Sequence, residues 1–122
     1  MESPHKGKTG LRRLWNALHY SLDGFRAAHR HEDAFRQEIR LAMLLVPLGF
    51  YLGHNGVERA ILVASVLLVI VIELLNSAIE ATVDRISLEN HLLAKRAKDI
   101  GSAAVLTSLF MLAVVWGLVL FS

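Results

Sequence analysis

The 122-residue chain contains no cysteine. Disulfide frameworks and thiolate metal sites are excluded, and cysteine usage says nothing of the redox compartment. Proline occurs only at Pro4 and Pro47, too rarely for a low-complexity chain. Charge is missing from two stretches: Ile61–Ile72 has none, and none follows Asp99. There is no GxxxxGK[ST] loop and no kinase glycine loop, so any nucleotide site must be unconventional. His29, His31 and His91 form no HExxH set, and a zinc site is not expected. The first 35 residues are polar and charged, without an apolar core and a small-residue cleavage site, so no cleavable signal peptide is expected.

Hydrophobic residues make up 54% of the chain, more than a typical soluble domain carries. They gather in three segments, Leu41–Gly53, Ala60–Ile86 and Ala103–Phe121. About 20 residues cross a hydrocarbon core, so the third segment is long enough alone. The second crosses only if its acids face protein or water, and the first needs flanking residues. The expectation is a single all-α membrane domain over 1–122. A surface helix covers about 10–30, and three transmembrane helices cover about 36–53, 58–86 and 100–121.

Basic residues are placed unevenly. Eight lie from Lys6 to Arg40, four from Arg85 to Lys98, and only Arg59 falls between the first two spans. The positive-inside rule puts the N-terminus and the second link in the cytoplasm, with Gly53–Glu58 and the C-terminus outside. The net charge of +2 hides this asymmetry. It reads as topology and contact with anionic membrane lipids, with no nucleic-acid partner.

Leu11, Leu14, Trp15, Leu18, Leu22 and Phe25 recur at helical spacing opposite Arg12, Arg13, Asn16, His19, Asp23 and Arg26. Such a helix lies in the membrane interface or packs on the bundle, and one apolar face can do both. The charged stretch Ala27–Arg40 is expected to link it to the first span. Gly53-His54-Asn55-Gly56 reads as an external turn. Arg85–Lys98 reads as the cytoplasmic link, and Gly101-Ser102-Ala103-Ala104 as a small-residue stretch permitting close helix approach.

The chemistry concentrates where the second apolar run meets its acids. Asn76, Glu80 and Asp84 follow Glu73 by three, seven and eleven residues and share one helix stripe with it. An ionised group near a bilayer centre costs on the order of 2.5–3.5 kcal/mol. Glu73, deepest in the run, is either a hydrogen-bonded structural carboxylate or a general base, and its depth favours the base. Glu80 with a second carboxylate can hold magnesium, and Glu32 is a candidate partner because it precedes the first span on the same side. Asp84 with Arg85, and Asp99 with Lys98, read as boundary charge pairs, with a phosphate contact as the alternative role for Lys98. Spans bearing such a stripe are expected to face other copies in a homo-oligomer.

Glu73-Leu74-Leu75-Asn76-Ser77-Ala78-Ile79-Glu80, continuing to Ile86, resembles the prokaryotic diacylglycerol kinase family. So do Arg96-Ala97-Lys98-Asp99-Ile100-Gly101-Ser102-Ala103-Ala104-Val105, Gly24–Ala28 and Glu32–Glu38. The resemblance covers nearly all of the chain after residue 10. It implies an inner-membrane homotrimer that transfers the γ-phosphate of ATP, with Mg2+, to the hydroxyl of diacylglycerol. It makes Glu73 the base, Glu32 and Glu80 the metal-holding acids, and Asn76 a supporting site residue. It matches Arg13, Tyr20, Glu89, Asn90, His91, Lys98 and Asp99 to nucleotide contacts. Arg13, Ser102 and Trp116, with Glu73 and Asn76, match substrate-contacting positions. Ser87-Leu88-Glu89-Asn90-His91 departs from the family's usual link sequence. Two alternatives stand beside this: an undecaprenol kinase of the same fold, and a small proton-coupled transporter cycling a proton on Glu73.

Overall fold

The computed structural model describes residues 10–86 and 91–122. Among them there are four α-helices and no strand: α1 (Gly10–His31), α2 (Asp33–Leu52), α3 (Gly56–Ile86) and α4 (Leu92–Phe121). With 31 and 30 residues, α3 and α4 are long and apolar enough to cross a membrane. α2 carries Asp33, Arg36, Glu38 and Arg40 in its first two turns, and only its second half is free of charge. Leu67, Leu75, Leu106, Phe110 and Leu118 are 50–69% exposed. A water-soluble monomer does not leave so much contiguous apolar surface uncovered, whereas hydrocarbon covers it without penalty. The chain is a membrane protein.

α3 is the central helix, packed against α2 on one side and α4 on the other. Val66, Val69 and Leu112 form one core, joined by Leu45 and Val46 of α2 and by Trp116. Ala28, Phe35 and Ile70 form a second core where α1, α2 and α3 meet. Trp116 ties α4 to α3. Its indole N–H donates to the carbonyl of Leu62 at 3.2 Å and to the hydroxyl of Ser65 at 3.1 Å. Gly49 lets α2 approach this point, since a Cβ there would lie 3.3 Å from both Leu62 and Val63 and 3.5 Å from the Trp116 ring.

Two stretches read as links are mostly helical. In Ala27–Arg40 only Glu32 leaves the helix, in extended conformation (φ −121°, ψ 111°). Charge density made the stretch look like a loop, yet its own side chains stabilise a corner. The Arg36 guanidinium donates to the carbonyls of His29 and Arg30, which end α1, and also bonds Asp33. A cation on the last carbonyls of a helix satisfies groups that have no helical partner. In the second link, α3 runs to Ile86 and α4 starts at Leu92, eight residues before the expected third span. Lys95, Lys98 and Asp99 are therefore helical.

The expected charge pairs are replaced by others. Lys98 reaches Asp84 across the α3–α4 gap at 2.5 Å, and Lys95 pairs with Asp99 at 2.7 Å. Adjacent residues on a helix diverge, while residues four apart meet. At the other end, Asn55 Oδ1 accepts the Glu58 N–H at 2.9 Å, and Glu58 accepts the His54 N–H at 3.0 Å. This is a side-chain cap on α3 of the capping-box kind.

Trp116→Phe removes two hydrogen bonds at the α3–α4 contact while leaving an aromatic, though smaller, ring there. It is expected to destabilise the fold by about 1–2 kcal/mol, read as a lower unfolding midpoint in detergent titrations.

Candidate active site

The periodicity of α3 sets Glu73, Asn76, Glu80 and Asp84 on one stripe, and the neighbouring helices bury it to different depths. Glu73 is 3% exposed and Asn76 8%, Glu80 is half-buried, and Asp84 is exposed. The stripe thus runs from a carboxylate sealed among helices to one at an open rim. Among the described residues, one Glu73 oxygen, Oε2, has no hydrogen-bond partner, and neither has Asn76 Oδ1. Asn76 Nδ2 donates to Glu80 Oε1 at 3.3 Å, linking successive turns.

The α1–α2 corner brings a third element to this stripe. Phe35 and Ala28, buried against Ile70, hold the corner on α3, and the Glu32 carboxylate interacts directly with that of Glu80. Glu32, Glu38 and Glu80 all act electrostatically on Glu73. Lys98, from α4, acts on Glu80 while paired with Asp84. Among the described residues, α2, α3, α4 and the α1–α2 corner therefore contribute to one acidic cluster, with Lys98 beside it.

Glu38 was given no role from the sequence, although its Oε2 is buried without a partner beside Glu73. The signal was present: Glu38 follows the buried Phe35 by three residues and precedes Ala42 by four, on the α2 face that packs against α3.

Other candidate residues lie apart from the cluster. Arg13 and Tyr20 are exposed on α1, nineteen and twelve residues before Glu32. His91 caps α4 by accepting the Leu93 N–H at 3.1 Å. Asp99 is held by Lys95, and Ser102 is exposed on α4. Trp116 meets α3 at Leu62 and Ser65, about 12–16 Å along the helix from Glu73 at 1.5 Å per residue. Glu89 and Asn90 lie outside the described residues.

No group of three or more histidine, aspartate or glutamate side chains suited to a metal converges among the described residues. Glu32 and Glu80 form a two-carboxylate set, and magnesium commonly takes one or two carboxylates together with substrate phosphates and water. The donor set fits that ion. Beside Glu32 a groove of about 550 Å3 runs between Gly24, Phe25 and Ala28 of α1 and Leu74, Ala78 and Ala81 of α3. Its lining is mostly apolar, with Ser21, Ser77, His31 and Glu32 as its polar members.

A family profile described as prokaryotic diacylglycerol kinase matches residues 19–120. A protein named diacylglycerol kinase from Pseudomonas aeruginosa is 54% identical over 118 residues, covering 97% of this chain and 96% of that relative. Proteins of the same name from Haemophilus influenzae and Escherichia coli K12 are 50% and 46% identical. Each alignment covers 93% of this chain, and respectively 96% and 93% of the relative.

A buried carboxylate with an unpartnered oxygen weakens the fold that contains it. Glu73→Met, similar in volume and apolar, is expected to stabilise the protein by about 1–3 kcal/mol. A raised unfolding midpoint in detergent checks this, and a lowered one would mean that Glu73 is held by partners it gains elsewhere.

Proposed function

The chain belongs to the prokaryotic diacylglycerol kinase family and is an enzyme; on that premise we propose that it moves the γ-phosphate of ATP onto the hydroxyl of diacylglycerol, giving phosphatidic acid. The observation that carries this reading is the stripe itself: a sealed carboxylate, Glu73, in line with a rim pair, Glu80 and Glu32. The family membership removes the transporter alternative, which left Glu80, Asp84 and Lys98 without work.

Glu73 is the general base. It takes the proton of the lipid hydroxyl as that oxygen bonds to the γ-phosphorus and the bond to the ADP oxygen breaks. Glu32 and Glu80 would hold Mg2+ with the nucleotide phosphates, and such an ion would supply the neutralisation of phosphate charge on which, with positioning, phosphoryl transfer mainly depends. Asn76 orients Glu80 through its amide, and Lys98 stands ready to exchange Asp84 for a phosphate oxygen. The apolar groove beside Glu32 shelters an apolar part of a substrate. Arg13, Tyr20, Glu89, Asn90, His91 and Asp99 complete the nucleotide contacts, and Ser102 and Trp116 the lipid contacts, as the family pattern implies.

α2 is the third span, with its charged first turns at the cytoplasmic face and the N-terminus on that side, as the distribution of basic residues supports. The membrane is the bacterial inner membrane, where ATP is available from the cytoplasm. The protein assembles as a homotrimer. In support, α4 buries only Gly101, Ser108 and Leu112 within one chain, leaving apolar faces for further copies and lipid. The α1 face of Leu11, Leu14, Trp15 and Leu18, all exposed, lies in the membrane interface.

Glu73→Gln keeps shape and burial but cannot accept the proton. It is expected to lower turnover by about 100-fold or more, the scale of a general base, with ATP binding and assembly retained; wild-type rates would remove Glu73 as the base. Glu80→Ala is expected to raise the magnesium concentration needed for half-maximal rate, and an unchanged titration would remove its ligand role. Diacylglycerol is expected to outcompete undecaprenol when both alcohols are supplied in one detergent.

A further inference from the structure

Gly101 faces the site from α4 and is buried. A Cβ built at this position would overlap Asn76 Oδ1, and the atoms it meets beyond its own helix backbone are those of the Asn76 carboxamide. Asn76 is itself 8% exposed, with Oδ1 unpartnered and Nδ2 donating to Glu80 Oε1 at 3.3 Å. The amide therefore occupies the space that a side chain on α4 would fill, and from there it reaches Glu80.

We infer that Gly101 is a positioning residue for the reaction: its missing side chain lets Asn76 sit between α3 and α4 and hold Glu80 in place. The inference rests on the reading of Glu80 as a metal-holding acid. It differs from a packing role in what would yield to an added methyl. The helices are held together independently, by Leu112 and Ser108 in the core and by the Trp116 hydrogen bonds to Leu62 and Ser65. The atom in the way is the far end of a side chain, which can rotate, whereas the helix backbones cannot part without losing those contacts. Alanine also favours helix over glycine. A methyl at 101 consequently leaves the fold intact, turns the Asn76 amide away and frees Glu80 from its donor. No other described glycine stands in this relation to the acidic cluster.

The test compares wild type, Gly101→Ala, Asn76→Ala, the double variant and Glu80→Ala in mixed micelles with diacylglycerol and ATP, titrating magnesium in each. Gly101→Ala is expected to unfold no earlier than wild type. It is expected to lose about 10-fold or more in turnover or in apparent magnesium affinity, the usual scale for a group that orients a metal ligand. The double variant is expected to match Asn76→Ala, because the methyl has nothing left to displace. Losses that multiply in the double variant would overturn the inference, as would wild-type magnesium dependence and turnover in Gly101→Ala while Glu80→Ala is shifted. An unshifted Glu80→Ala would instead overturn the metal-site reading itself. If Gly101→Ala fails to fold, the double variant must still fold, since shortening residue 76 removes the overlap; failure of both overturns the inference.

Discussion

Burial of Glu73 is the constraint on which the rest depends. A carboxylate among apolar helices is expensive to maintain, and Oε2 of Glu73 lacks even a hydrogen bond. α3 can carry such a group because α2 and α4 pack along both its sides and the α1–α2 corner closes over its acidic end. The Arg36 bonds to the end of α1, the Phe35 core and the close meeting of Gly101 with Asn76 all serve this closure. Strain of this kind persists at functional sites because the surrounding structure over-determines it.

The cluster also separates two chemical tasks by depth. At the sealed end Glu73 is kept from water, which suits the proposed role of base for a lipid hydroxyl. At the rim, Glu80, Glu32 and Lys98 offer charges of both signs where a nucleotide can arrive from solvent. Two helical turns of α3 connect the ends, so on the proposed reading one rigid element would set the separation between the two substrates. Placing reacting groups on a rigid helix is how a small chain obtains the positioning that phosphoryl transfer needs.

Much of this was legible in the sequence. The spacing of Glu73, Asn76 and Glu80 on an apolar run named the stripe, and charge asymmetry with apolar length named the long helices. The helix containing the third apolar segment began early, at Leu92, because a basic, alanine-containing stretch extends a helix as readily as it makes a link. The corner at Glu32 was hidden for a related reason: Arg36 bonds carbonyls six and seven residues away, and no periodicity reports such a contact. Glu38 was missed because a glutamate among charged neighbours looks solvated until Phe35 shows which face is buried. The Asp84–Lys98 pair joins two helices, so neighbours in the sequence suggested the wrong partners.

If the acidic stripe transfers phosphate from ATP to a lipid alcohol with magnesium at its rim, purified protein in mixed micelles with dioleoylglycerol and ATP should respond to magnesium. Phosphatidic acid is expected in equimolar yield with ADP, and only when magnesium is present. Product formed equally without any divalent cation, or ATP consumed with no phosphorylated lipid, would contradict that reading.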